Sequence, residues 1–126
     1  MKKIEDLAFT DDYMFGAVMR DPDICKKVLE RVLKIKIDHL EYPELQKSIK
    51  PYYESKGVRL DVYVKDSDQV FDIEVQASEP VDPAKRTRYY QSMVDIDCLA
   101  KGSLYEELPT NYIIFLRKHC RYITES

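Results

Sequence analysis

Long apolar segments are missing from this 126-residue sequence. No stretch approaches the roughly 20 consecutive apolar residues that a membrane-spanning helix needs. The N-terminal segment, Met1 to Asp6, also lacks the apolar core of a signal peptide. We therefore expect a cytoplasmic protein that does not associate with membranes.

Paired cysteines and histidine patterns typical of metal sites are missing as well. The three cysteines, Cys25, Cys98 and Cys120, lie far apart, and no CxxC pair indicates a zinc site or a redox centre. His39, one of two histidines, has no partner at metal-ligand spacing. We expect reduced thiols, two of them buried, and a structural or exposed His39.

Internal repeats and low-complexity tracts are absent too. Hydrophobic residues make up 44% of the chain and charged residues 34%, which is ordinary for a soluble globular protein. A chain of this length fits one domain with one core. We therefore predict a single domain that spans residues 1–126.

Two runs of alternating residues in the middle of the chain predict a pair of β-strands. They cover residues 57–64 and 70–76, and apolar side chains occupy every second position in each run. The residues between them, 65–69, are polar and prone to form turns, which favours an antiparallel hairpin with one apolar face. The apolar positions are Val58, Leu60, Val62, Val64, Phe71, Ile73 and Val75.

The length of the loop decides which polar residues face each other across this hairpin. A two-residue loop at Ser67 and Asp68 places Asp61 opposite Glu74, with Gln76 farther along the same face. Directly opposed side chains have their Cβ atoms roughly 5 Å apart. A four-residue loop keeps this parity, whereas a three-residue loop without a bulge puts Asp61 and Glu74 on opposite faces.

Two carboxylates that meet across a hairpin need a neutralising partner, because like charges directly opposite each other are destabilising. A divalent cation is the ready candidate for Asp61 and Glu74. Mg²⁺ is typically held by one or two protein carboxylates, while waters and a substrate phosphate fill its other positions. The alternative is that this polar face is simply the solvated side of a half-buried hairpin, and the alternation by itself favours that alternative.

The distribution of positive charge bears on a nucleic-acid substrate. The formal net charge of −3 argues against indiscriminate coating of nucleic acid, since nonspecific affinity comes mainly from neutralised phosphates. Basic residues nevertheless cluster at Lys85, Arg86 and Arg88, and again within residues 117–121. A basic patch beside an acidic metal site is what a phosphodiester substrate requires. For the second cluster we favour a solvated surface.

Together with the hairpin, the remaining segments predict the order helices, strand, hairpin, helix, strand. Their order is typical of an α/β protein whose mixed central sheet is covered by helices. Residues 44–56 carry a poor signal and are predicted to form a long connection. Helices are predicted at residues 11–19, 22–35 and 83–100, and further strands at residues 35–40 and 112–116.

The helix predicted at residues 83–100 has an arginine at the start of its apolar stripe. Tyr89, Met93, Ile96 and Ala100 recur at helical spacing, and Arg86 continues this stripe toward the beginning of the helix. An arginine at such a position either pairs with an acid or contacts a phosphate.

The acidic residues of the hairpin also carry a resemblance to a known family. Asp61, a strand-length interval and then Glu74-Val75-Gln76 resemble the PD-(D/E)XK nuclease signature, in the variant where Gln replaces the final Lys. The flanking sequence resembles the PD-(D/E)XK nuclease family transposases, also called recombination-promoting nucleases, from about Phe9 to about Leu116. The motifs that carry this resemblance are residues 59–62, 72–76, 86–92 and 101–109.

The resemblance implies a restriction-endonuclease-like core in which the antiparallel hairpin is catalytic. It implies hydrolysis of DNA phosphodiester bonds with Mg²⁺, for which Mn²⁺ is a possible substitute. In that picture Asp61, Glu74 and the carbonyl of Val75 hold the metal ion, and Gln76 orients the attacking water or a phosphate oxygen. An amide cannot supply the positive charge of a lysine to the developing anion, so Gln76 implies a weaker catalyst.

The resemblance also implies partners for the residues around the hairpin. Arg86 and Arg88 would hold backbone phosphates of DNA. Many nucleases of this superfamily take an additional acid from the first helix, and Glu30 and Asp12 are the available residues. Glu30 lies off the apolar stripe of its helix, so a solvated Glu30 is the preferred interpretation.

The C-terminal segment differs from the sequence that we expect in members of this family. Relatives usually continue with helical sequence past residues 112–116, whereas residues 117–126 are polar, unlike the family, and then the chain stops. We therefore expect a domain truncated at its C-terminus relative to the family. Uncovered strand edges and apolar faces would then promote a homo-oligomer.

Three hypotheses follow for the function. The first is a magnesium-dependent DNA endonuclease related to transposases. The second is a catalytically weak or inactive remnant that still binds DNA, and the third is an interaction module whose hairpin face is merely solvated. The family resemblance places the first ahead of the other two.

Overall fold

The structure is a computed structural model that describes residues 12–50, 56–75, 83–99, 103–116 and 121–125, with the side chains of residues 12–14 and 121–124 excepted. Along these residues two helices come first, followed by three strands, a third helix, a 3-10 turn and two further strands. The elements are helices α1 Asp12–Met19, α2 Pro22–Leu33 and α3 Pro83–Cys98, a 3-10 turn at Tyr105–Glu107, and strands β1 Glu44–Ile49, β2 Val58–Asp66, β3 Gln69–Val75, β4 Thr110–Leu116 and β5 Arg121–Glu125.

The strands form one mixed sheet of five strands in the order β1-β2-β3-β4-β5. The pairs β1–β2 and β2–β3 are antiparallel, the pair β3–β4 is parallel, and the pair β4–β5 is antiparallel. A parallel pair needs a crossover connection, and α3 lies in the segment between β3 and β4. The predicted mixed α/β class is therefore confirmed.

Local sequence explains where α2 begins and ends. Asp21 is its N-cap, with a side chain that accepts a hydrogen bond from the Asp23 backbone at 2.9 Å, and Pro22 occupies the first turn. Lys34 ends the helix in the left-handed conformation, with φ of 57°. Cys25 and Leu29 are buried, and Val28, Val32 and Leu33 pack against the same core, whereas Ile24 is exposed.

Apolar side chains cover both faces of the sheet, which corrects the prediction of a hairpin with one apolar face. On one face, α1 and α2 pack against Val62 and Val64 of β2 and against alternate residues of β3. On the other face, α3 packs with Val58 and Leu60. Every residue of β3 after Gln69 is buried as a result.

The alternation in β2 reverses at Asp61. Leu60 packs on the α3 face and Val62 on the opposite face, although a regular strand would put both on the same face. The partner position in β1 is Gln46, whose φ of 58° is left-handed. The pairs Leu45 with Val62 and Lys47 with Leu60 flank this position, so both strands are distorted at the same point.

The strands differ from the prediction at three places, each for a tertiary reason. Residues 35–40 do not form a strand: Ile37 and Leu40 are buried because the loop after α2 folds onto the core. Conversely, β1 lies within the predicted connection, and β5 lies within the polar tail. Both are edge strands of mixed or polar sequence, so their pairing depends on a neighbouring strand rather than on their own alternation.

The rotation of α3 about its axis also differs from the prediction. Thr87, Met93 and Val94 are its buried residues, whereas Tyr89 is 38% exposed and Ile96 is 45% exposed. Ala100 lies outside the described residues. Met93 of the predicted stripe is buried, so the buried face of α3 overlaps the predicted face only in part.

None of the described helices is both long enough and apolar enough to span a bilayer.

Candidate active site

The β2–β3 hairpin has the register that the sequence predicts for a two-residue loop. Ser67 and Asp68 form the turn, and Asp66 pairs with Gln69. The ladder continues to the pair of Val62 with Ile73. One step beyond this pair, the register brings Asp61 and Glu74 opposite each other.

Side chains hold the two strands together where this ladder ends. The backbone N–H of Asp61 donates a hydrogen bond to Oε2 of Glu74 at 2.7 Å. The backbone N–H of Val75 donates to Oδ2 of Asp61 at 3.1 Å. Each carboxylate thus satisfies an N–H of the opposite strand, and both carboxylates are drawn to the same end of the hairpin.

A third carboxyl group lies on the same face of β3. Asp72 precedes Glu74 by two residues, and both side chains are buried, with exposed fractions of 1% and 2%. The Glu74 carboxyl group is close enough to raise the pKa of Asp72 both through its charge and through a side-chain hydrogen bond. Alternation alone could have identified Asp72, since it shares the face of Glu74.

Burial controls the protonation of these carboxyl groups. Desolvation raises the pKa of Glu74 to about 7, and the nearby charge of Asp61 contributes to the rise. Desolvation, with the charge of Glu74 as the next cause, raises the pKa of Asp72 well above its usual range. Asp72 and Glu74 therefore hold their protons more tightly than exposed carboxyl groups do.

Arg86 supplies the positive charge on the α3 side of this cluster. Its guanidinium lowers the pKa of both Asp72 and Glu74. An N–H of Arg86 donates to the hydroxyl of Tyr90 at 3.1 Å, and the guanidinium lies 5.3 Å from the ring centroid of Tyr90 and 5.5 Å from that of Phe115. Arg86 is thus held between α3 and β4, beside the carboxyl groups.

Arg88 does not share this position. It is exposed, and its carbonyl accepts a hydrogen bond from the Ser92 hydroxyl one turn later in α3. Residues two apart on a helix point in widely different directions, so Arg86 and Arg88 cannot both face the hairpin. The roles predicted for them in holding phosphates remain predictions.

A cleft opens on the opposite side of the hairpin, between α1 and strands β1 and β2. Its volume is about 370 Å³, and Asp61 is among its lining residues. Arg20 at the end of α1 and Gln46 of β1 also line it. No local pattern marks Arg20 or Gln46, because α1, β1 and β2 come together only in the folded chain.

The other predicted site residues are placed as follows. Glu30 is half-buried and accepts a hydrogen bond from the Ile37 backbone N–H at 3.0 Å, so the solvated interpretation of Glu30 is wrong. Its carboxylate stabilises the loop after α2. Gln76 and the side chain of Asp12 lie outside the described residues.

Metal ligation can be assessed only for the described part of the chain. Within it, no group of three or more His, Cys, Asp or Glu side chains is arranged to hold a metal ion. The hairpin instead offers the two carboxylates of Asp61 and Glu74, with the carbonyl of Val75 adjacent in the sequence.

Residues 3–124 match a family described as PD-(D/E)XK nuclease family transposase. The chain belongs to this family. The match is longer than the expected span from Phe9 to Leu116 and includes most of the segment that we expected to be unlike the family. No curated protein sequence and no solved structure matches the chain.

Membership of the PD-(D/E)XK nuclease family transposases gives the protein a nuclease-related function. The mixed sheet with helices on both faces is compatible with the fold of this family. PD-(D/E)XK nucleases generally use divalent metal ions and act on DNA.

Proposed function

We propose that this protein is a metal-dependent DNA endonuclease that hydrolyses phosphodiester bonds, with Mg²⁺ as its metal ion and Mn²⁺ as a substitute. The observation that carries the proposal is the convergence of Asp61 and Glu74 where the hairpin ladder ends. In a member of a nuclease family, this convergence supports Asp61 and Glu74 as hard oxygen ligands, since they are the residues that resemble the family signature.

The residues present fit a magnesium ion. Carboxylate and carbonyl oxygens are its preferred protein ligands, and one or two carboxylates suffice when substrate phosphate and water complete the coordination. We propose Asp61, Glu74 and the Val75 carbonyl as the ligands.

A bound divalent ion would polarise the scissile phosphate and lower the pKa of a coordinated water. The protein contributes orientation and charge. The Val75 N–H fixes the Asp61 carboxylate, and the Asp61 N–H fixes that of Glu74, so neither side chain needs to reorganise. Arg86 is held rigidly beside Glu74, where its charge can stabilise negative charge on the reacting phosphate. We propose Gln76 as the group that orients the attacking water.

One observation favours a weaker alternative, a DNA-binding protein with little or no catalytic activity. Glu74 is 2% exposed and its pKa is near neutrality, so at pH 7 a large fraction of the molecules carry a protonated Glu74 that cannot act as a ligand. Gln76 in place of a lysine adds to this disadvantage. A rate of DNA cleavage that rises between pH 6 and pH 8, as Glu74 loses its proton, would support the endonuclease over this alternative.

The direct test is nicking of supercoiled plasmid with and without Mg²⁺ or Mn²⁺. Glu74→Gln removes the negative charge but keeps an oxygen that can accept the Asp61 N–H. We expect the wild type to nick only with metal and the variant to lose at least about 100-fold in rate. Glu106→Gln, a change of the same type at an exposed position, is the matched control. Equal activity in the wild type and Glu74→Gln would refute the proposal.

A further inference from the structure

We propose that the cleft between α1, β1 and β2 binds the DNA strand beside the scissile phosphate, with Arg20 contacting a backbone phosphate and Gln46 contacting the same strand. This inference rests on the endonuclease function proposed above. It assigns DNA contacts to two residues that the sequence does not mark, on the side of the hairpin opposite Arg86.

The cleft has the size and lining of a site for part of a nucleotide chain. Its volume of about 370 Å³ lies in the range of roughly 300–1,000 Å³ that is typical of ligand pockets. Phe15 and Val62 are buried at its base, and the half-buried Leu45 offers an apolar surface against which a sugar or a base can pack. Asp61 and Arg20 are the charged residues in its lining, so the cleft reaches the proposed metal ligand.

Arg20 is suited to contact a phosphate. It directly follows the last residue of α1, its side chain is exposed, and it forms no ion pair with a described residue. Its charge is therefore not already committed to a carboxylate within the described part of the chain. An arginine is also the side chain that best matches the geometry of a phosphate group.

The backbone at Gln46 supports the same assignment. Its φ of 58° lies in the left-handed region, which glycine occupies at lower cost than glutamine. Non-glycine residues in this conformation cluster at functional sites, where the strain is maintained by the surrounding structure. The pairs Leu45 with Val62 and Lys47 with Leu60 flank Gln46 and Asp61, and both of these residues line the cleft.

The two basic residues flank the hairpin from opposite sides. Arg86 approaches the carboxyl cluster from α3, whereas Arg20 lines the cleft beneath α1. A strand whose scissile phosphate lies at Asp61 and Glu74 would therefore meet positive charge on both sides. Such paired phosphate contacts fix the register of a nucleic acid without reading its sequence.

Arg20→Ala tests the phosphate contact, and Arg31→Ala is its matched control. Arg31 is also exposed, but it lies on α2 and does not line the cleft. The first readout is anisotropy of a labelled DNA duplex without divalent metal, at increasing salt concentrations. We expect Arg20→Ala to reduce the slope of log K against log salt by about 0.9, the effect of one lost phosphate contact, and Arg31→Ala to leave it unchanged.

The second readout is plasmid nicking with metal. A phosphate contact made equally in the ground state and the transition state affects KM and not kcat. We therefore expect Arg20→Ala to raise KM while kcat stays within about two-fold of the wild-type value. A mere change in fold stability would not separate the two constants in this way.

Gln46→Gly tests the second contact, because glycine suits the backbone at this position. We expect this variant to unfold at the same or a higher temperature than the wild type, yet to bind the duplex more weakly. A structural role alone predicts the opposite pattern, in which binding is retained or improved with the stability.

The outcomes distinguish this inference from the proposed function. If the wild type nicks plasmid but Arg20→Ala and Gln46→Gly bind and cleave as it does, the subsite is refuted and the endonuclease stands. If the wild type neither binds nor nicks DNA, the endonuclease is refuted and the subsite with it. Reduced salt dependence in Arg20→Ala but not in Arg31→Ala supports the subsite.

Discussion

At the scale of single residues, the most unusual feature is a pair of buried carboxyl groups beside one arginine. Asp72 and Glu74 are almost fully buried on one face of β3, and Arg86 is the guanidinium whose charge opposes the rise of their pKa values. Buried ionisable groups with perturbed pKa values are concentrated at functional sites. They also make the stability of the fold depend on pH.

The raised pKa of Glu74 predicts that the wild type loses stability as the pH rises from about 4.5 to about 7. Protonated Glu74 is favoured in the folded state, so its stabilising contribution is complete below its ordinary pKa of 4.5 and is lost as the pH passes through about 7. The difference between these values corresponds to about 3 kcal/mol. Glu74→Gln should therefore be more stable than the wild type at pH 8 by up to that amount.

Urea unfolding of both proteins at pH 4.5 and at pH 8 measures this effect. The control is Glu106→Gln, whose stability should follow that of the wild type at both pH values. Parallel curves for wild type and Glu74→Gln across the whole range would show that Glu74 is ionised normally in the fold.

Arg86 and Arg88 offer a second comparison at the residue scale. Arg86→Ala removes the charge beside two buried carboxyl groups, the bond to Tyr90 and the contacts with two rings. We expect it to lower the free energy of unfolding by about 2 kcal/mol at pH 8. Arg88→Ala, at an exposed position, should change it by no more than about 0.5 kcal/mol.

DNA binding by the same two variants separates structure from function. If both arginines hold phosphates, each variant binds a DNA duplex more weakly and with a reduced salt dependence. Weaker binding by Arg86→Ala alone would remove Arg88 from the proposed interface. Equal stability of the two variants would contradict a stabilising role for Arg86 beside the carboxyl groups.

At the scale of elements, the end of the β2–β3 hairpin depends on side chains for its closure. Asp61→Ala leaves the N–H of the buried Val75 without its acceptor. We expect a loss of about 1–3 kcal/mol in the free energy of unfolding, the cost of an unsatisfied buried donor. Asp61→Asn retains an acceptor oxygen and should lose less than about 1 kcal/mol.

Both Asp61 variants should abolish metal-dependent nicking, since neither supplies the negative charge of a ligand. Chemical denaturation and plasmid nicking, measured on the same preparations, keep the two effects apart. An Asp61→Asn protein that folds well and still cuts with the wild-type metal requirement would exclude Asp61 as a ligand.

The register of this hairpin could be predicted from local chemistry, and so could the caps of α2. The polar residues 65–69 and the period of two determine the parity of Asp61 and Glu74, and Asp21-Pro22 marks the start of a helix. The strands β1 and β5 could not be predicted in this way. Their sequences are compatible with coil until β2 and β4 present hydrogen-bonding edges to them.

At the scale of the whole molecule, metal binding and folding are linked. A ligand that binds only the folded state raises its stability by mass action. We expect Mg²⁺ to raise the melting temperature of the wild type, and to do so more at pH 8 than at pH 6, because Glu74 must lose its proton to act as a ligand. Glu74→Gln should show a much smaller rise.

Differential scanning fluorimetry with a Mg²⁺ salt, and with a K⁺ salt at the same ionic strength as the control, measures this linkage. A rise of equal size in wild type and Glu74→Gln would mean that the ion acts elsewhere.

The arrangement of the sheet also bears on association: β1 is an edge strand that Gln46 distorts, and such irregular edges resist pairing with another chain. Homo-oligomer formation stays a prediction.

The sequence by itself determined the α/β class, the hairpin and the pairing of Asp61 with Glu74, because turn chemistry and side-chain period act over a few residues. Only the tertiary structure decided that Glu74 and Asp72 are buried, since that depends on α3 packing over the sheet. It also decided that Arg86 and not Arg88 faces the carboxyl groups, because packing sets the rotation of a helix about its axis. The cleft of Arg20 and Gln46 likewise exists only where α1 meets β1 and β2.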